Sequence, residues 1–176
     1  MKIYIPIFTI IHLFSLLILA QDYPKSLNNS IHRISPNARV LKYSEIDTLE
    51  CGKESKSIIK ADFNGDKIND YAILLIDSIF HEMTYRDQKY LESKLFFVVF
   101  LGQKDNKYKS ILLDTFQVTL PVINTINIYT DKTVKDREAD TLIKIKYPSV
   151  ELFHCGKSSV LFYWNKIKFE STWTSD

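Results

Sequence analysis

The run Asp62-Phe63-Asn64-Gly65-Asp66-Lys67-Ile68-Asn69-Asp70 places oxygen-bearing side chains at positions 1, 3, 5 and 9 of nine residues. Odd spacing in a tightly turning loop lets such side chains converge on one point, and a point lined by carboxylates attracts a hard cation. Calcium takes about six to eight oxygen ligands at about 2.3–2.6 Å. Asp62, Asn64, Asp66 and Asp70, joined by the Ile68 carbonyl and water, supply such a set. Magnesium suits the run less well, because it keeps its waters and is rarely held by an all-protein cage. The same composition also builds metal-free turns, since Asx side chains bond their own backbone. Set against the empty turn, three carboxylates within nine residues repel one another, and only Lys60 and Lys67 stand near in sequence to offset them.

An EF-hand loop opens with the same Asp-x-Asn-x-Asp pattern but needs a bidentate Glu at position 12, where this chain has Ile73, and helices on both flanks, where this chain reads as strands. Position 6, where the backbone bends sharply, is Lys67. A residue with a side chain and positive φ costs about 1–2 kcal/mol there.

The segment Ala61-Asp62-Phe63-Asn64-Gly65-Asp66, followed by Asn69-Asp70-Tyr71-Ala72-Ile73-Leu74, resembles the FG-GAP/VCBS-type repeat, whose pattern is D-x-[ND]-G-D-G-x-x-D and then an apolar strand. In those repeats the aspartates bind calcium at the edge of a β-propeller blade. The resemblance implies Asp62, Asn64, Asp66 and Asp70 as ligands, and Lys67 departs from the family's Gly. It covers about 20 of 176 residues, with no second D-x-N-G-D copy, so a full propeller of several blades is not implied. The closing segment, from Gly156 through Trp164 and Phe169 to Asp176, looks like the C-terminal hairpin of small exported bacterial proteins that carry one such loop and have no established activity.

Residues 1–20 do not belong to the elements that position this loop. Lys2 precedes an almost wholly apolar run from Ile3 to Leu19, and Ala20 stands before the polar Gln21-Asp22. These features predict a signal peptide cleaved after Ala20 and a secreted or periplasmic location. Without Lys2, 22 basic residues face 21 acidic ones, and the lysines are scattered. That balance does not favour a nucleic-acid partner. No later segment is apolar enough to span a membrane.

Residues 21–38 read as a polar leader with one or two helical turns, and residues 39–176 as a single β-rich domain. Within that domain, 39–43 is the first strand, 56–63 feeds the loop, and 72–76 is a central strand buried on both faces, being apolar throughout. Residues 81–94 are polar enough for a loop or short helix. Strands follow at 95–101 and 108–116 as a hairpin, at 120–130 behind Pro121, and at 142–147, where Ile143, Ile145 and Tyr147 share one face. The charged stretch 131–140 reads as an exposed loop. Strands at 150–153, 159–164 and 168–173 complete a meander. The expected fold is therefore mainly antiparallel β, a sandwich or a propeller-blade-like meander, with one or two short helices.

Cys51 and Cys155 are the two cysteines, each followed by Gly-Lys and shortly by Ser, and each in a turn ahead of a strand. In an exported chain they predict a disulfide tying the start of the domain to its last hairpin. No G-x-S-x-G, P-loop or H-E-x-x-H motif occurs, and beyond the apolar start His32, His81 and His154 have no spacing that argues for catalysis. No catalytic residue is assigned. The closing aromatics are mostly core, with Trp164 and Trp173 as candidates for a partner surface. The sequence thus predicts an exported, non-catalytic β domain with structural calcium, monomeric or weakly oligomeric, acting as a binding or interaction module toward a protein or glycan. A small secreted hydrolase or inhibitor acting on an extracellular or periplasmic target is the alternative.

Overall fold

A computed structural model describes residues 23–137 and 139–175. The signal peptide expected over 1–20 lies outside these residues. The chain folds into two antiparallel sheets and a small third one. The first contains β1 (Ala38–Val40), β2 (Ile58–Ala61), β3 (Asp70–Asp77), β4 (His81–Tyr85), β5 (Gln88–Gly102) and β6 (Tyr108–Thr119). The second has the order β12 (Phe169–Ser175), β11 (Ser158–Trp164), β10 (Ser149–His154), β7 (Asn124–Tyr129). A two-stranded ribbon is made by β8 (Thr133–Asp136) and β9 (Thr141–Lys144). Two short helices, α1 (Asn28–His32) and α2 (Thr48–Cys51), lie in the first third of the chain.

The period-2 geometry of β3 explains why a run of unbroken apolar residues is stable there. Ala72, Leu74 and Ile76 enter a core shared with Phe97, Val99, Ile126, Val150, Leu152 and Phe162, which come from both large sheets. Phe97 and Phe162 meet edge to face across that core with centroids 5.2 Å apart. The two sheets therefore pack face to face as a sandwich. On the other face of β3, Tyr71, Ile73 and Leu75 pack with Leu27 and Ile31. The short helical stretch within 25–32 is thus a lid on the outer face of the sheet, and its apolar residues belong to the fold.

One side of the sandwich is stitched shut. Lys56 N–H donates to Thr125 Oγ1, Thr125 Oγ1 donates to the Lys56 carbonyl, and Ile126 N–H donates to the same carbonyl at 3.0 Å. The Cys51–Cys155 disulfide adds a covalent tie between α2 and the β10–β11 turn, one hairpin before the last. On the opposite side, among the described residues, β6 pairs only with β5 and β12 only with β11, and two clefts lie between β6 and the β11–β12 hairpin.

Two segments without an expected strand contain one, and the strands expected over 142–147 and 120–130 are shorter, at Thr141–Lys144 and Asn124–Tyr129. Residues 81–94 are not a loop or helix but β4 and the start of β5, a hairpin in register from His81↔Glu92 to Tyr85↔Gln88. Its turn residues Arg86 and Asp87 have φ of 49° and 60°, the paired left-handed conformation that twists a two-residue turn to match its strands. Arg-Asp is not the Asn-Gly type of signal that marks such turns. Residues 131–140 hold β8, whose Val134 is 7% exposed and packs with Ile145 and Leu161 on the outer face of the second sheet. A single apolar residue anchors that strand, which is too little for a periodic pattern to show.

Candidate functional site

The 62–70 loop joins β2 to β3, as the strand–loop–strand reading requires. Its second residue, Phe63, is fully buried in the inter-sheet core and pins the loop to the sandwich. Around that anchor the acidic side chains organise the backbone. Asp62 accepts three N–H groups: Oδ1 from Gly65 at 2.7 Å and Asp66 at 3.1 Å, and Oδ2 from Lys67 at 2.9 Å. Asn64 Oδ1 accepts from Asp66 N–H at 3.0 Å, and Asp66 Oδ1 accepts from Ile68 N–H at 2.8 Å. Asn64 Nδ2 donates to Asp66 Oδ2 at 3.1 Å. These are Asx turns nested within one another.

Asp70 closes the loop from below. It is fully buried, with Oδ2 accepting from Phe63 N–H at 2.9 Å and Oδ1 from Gly102 N–H at 2.8 Å. Burial raises its pKa to about 6, and the charges of Asp66 and Asp62 push the same way against the two N–H bonds. An ionised carboxylate has about four acceptor positions. Asp62 uses three, Asp66 two and Asp70 two, so each keeps an unused lone pair, as does the Asn64 carbonyl oxygen. Among the described residues, no group of three or more His, Cys, Asp or Glu side chains meets as a metal-ligand cluster. The structure therefore gathers the predicted residues into one hydrogen-bonded loop, with their carboxylates turned to backbone donors.

Two glycines serve this loop. Gly65 has φ +79°, and Gly102 comes so near the loop that a Cβ there would lie 2.5 Å from the Asn69 carbonyl oxygen. Lys67 has φ 69°, so the bend anticipated at loop position 6 is present and carries a side chain.

The remaining sequence candidates fall elsewhere. Trp164 is half-buried, edge-on to Phe169 at 5.2 Å, and lines a cleft of about 650 Å³ between β6 and the β11–β12 hairpin. Trp173 is 40% exposed and lines a second cleft of about 490 Å³ further along β6. His154 also lines the second cleft. Its Nδ1 lies 2.7 Å from Asn124 Nδ2, its ring meets Phe116 edge to face at 5.4 Å, and burial lowers its pKa, with Lys157 adding to that and Asp114 opposing it. His81 is exposed on β4 and His32 bonds the Pro36 carbonyl. The pairing of His154 with Asn124 had no signal in the sequence, because 30 positions separate the two and only the β7–β10 register, Asn124↔His154, unites them.

Fold and loop together define an antiparallel β-sandwich with an acidic strand-connecting loop at one end of its central strand. No protein-family model matches the chain, and no characterised protein or solved structure matches it significantly.

Proposed function

We propose that this chain is an exported β domain whose 62–70 loop holds a structural calcium ion, in the manner of an FG-GAP/VCBS-type repeat, and that the domain works as a binding module. The observation that carries the reading is the donor set: Asp62, Asn64, Asp66 and Asp70 all lie in one loop, and each retains an oxygen lone pair after its backbone bonds are counted. Hard oxygen donors, mostly anionic, fit calcium in preference to a softer metal. Asp62, Asn64, Asp66 and Asp70, with the Ile68 carbonyl, would hold the ion, which would supply positive charge where three carboxylates are crowded. Its role is to fix the β2–β3 connection against the core through Phe63. Export agrees with the Cys51–Cys155 disulfide, a bond that persists in oxidising compartments. Among the described residues no helix is long and apolar enough to cross a membrane.

Calorimetric titration of the chelator-treated protein with calcium tests the proposal. A single saturable site is expected, abolished by Asp66→Ala. The absence of heat above that of the Asp66→Ala variant overturns it.

A further inference from the structure

We propose that the cleft lined by Trp173 and His154 is a carbohydrate site that seats one neutral pyranose ring of a glycan. This inference rests on the reading of the domain as a binding module and is independent of calcium. The cleft exists because the sandwich is closed along β2 and β7 but open between β6 and β12, whose outer edges have no strand partner among the described residues. Its volume of about 490 Å³ falls in the range of about 300–1,000 Å³ usual for ligand pockets.

The chemistry of the walls selects the ligand. Phe116 and Trp173 supply aromatic surface, and the indole is 40% exposed. A pyranose has apolar C–H faces that lie against aromatic rings and a rim of hydroxyls that need polar partners. His154 provides one such partner in a defined state. Asn124 is only 3% exposed, and its amide donates to His154 Nδ1, which leaves the proton of the neutral ring on Nε2 as a donor. Because the Phe116 ring holds the imidazole edge-on, that donor is oriented before any ligand arrives. Among the charged groups of the cleft, Glu92 and Lys157 are one acid and one base. They offset each other, so an ionic ligand gains no net attraction, whereas a sugar uses both as hydrogen-bond partners.

Calorimetric titration with neutral trisaccharides of glucose, galactose, mannose and N-acetylglucosamine tests the site, each run in calcium and in chelator. At least one trisaccharide is expected to bind saturably with a dissociation constant below about 1 mM. Trp173→Ala, a substitution at a partly exposed position, should weaken that binding at least tenfold, and Tyr85→Ala, at the β4–β5 turn, should leave it unchanged. Failure of all four sugars to bind, or equal binding by the Trp173→Ala variant, overturns the proposal. Sugar binding that persists in chelator, in a protein that takes up no calcium, retains this site and removes only the calcium reading.

Discussion

The phenol ring of Tyr147 lies directly over Gly65, so near that a Cβ at position 65 would stand 2.0 Å from its Cε1 atom. The acidic loop is thereby held from two sides, by Phe63 buried in the core beneath it and by Tyr147 across its turn. Gly65→Ala combines a left-handed backbone with overpacking, and its expected cost is about 2–4 kcal/mol in denaturant unfolding. In a Tyr147→Ala background the steric share disappears, leaving about 1–2 kcal/mol for the backbone alone. An equal cost in both backgrounds would show that the ring does not constrain the loop.

Lys67 carries a positive φ of 69° at the bend of the loop. Lys67→Gly relieves that strain while keeping the N–H that donates to Asp62, at the expense of greater freedom in the unfolded chain. The expected net gain is about 1 kcal/mol in chelator, read from the denaturation midpoint. A loss of stability would mean that the lysine side chain contributes more than its backbone costs.

Asp70 binds its proton more tightly in the folded protein than in the unfolded chain, since burial lifts its pKa from 3.8 to about 6. In chelator the stability associated with this group is therefore complete below pH ~4 and is lost as pH rises through about 6, on the order of 3 kcal/mol in all. His154 slopes the other way, because its folded pKa is lowered and its contribution falls as the pH drops below about 6.5. The difference between wild type and Asp70→Asn isolates the aspartate. Misplacing an amide N–H against the Phe63 or Gly102 donor adds an offset that does not vary with pH. The gap should shift toward the variant by on the order of 3 kcal/mol between pH 4 and pH 7, and a constant gap would refute the assignment.

The Cys51–Cys155 bond closes a separation of 104 residues, for which the chain-entropy model gives about 4.7 kcal/mol. The Cys51→Ser/Cys155→Ser double variant should lose about 2–5 kcal/mol, the range found when a native disulfide is removed from small disulfide-bonded domains. Thiol titration of the unreduced, denatured wild type should find no free thiol. Two free thiols per chain would contradict the pairing.

The elements legible from sequence were those whose pattern is local. The apolar run of β3 announced a strand buried on both faces. The acidic loop was legible for the same reason, because its hydrogen bonds run between residues two to seven apart. What escaped depends on contacts that sequence does not advertise. The β4–β5 hairpin turns on Arg86 and Asp87, whose left-handed φ values are enforced by strand pairing and not by residue type. The β8 strand rests on Val134 alone. Gly102 ends β5, and its N–H reaches back to Asp70 across 32 positions. The His154–Asn124 pair required the β7–β10 register to be known first.

Thermal unfolding of the protein in excess calcium and in chelator tests the central claim most directly. At calcium about 100 times the dissociation constant, a ligand bound only by the folded state adds about 2.7 kcal/mol, which raises the Tm of a domain this size by about 5–10 °C. The expected result is such a rise in the wild type and none in Asp66→Ala. Identical melting of the wild type in calcium and in chelator would contradict the account.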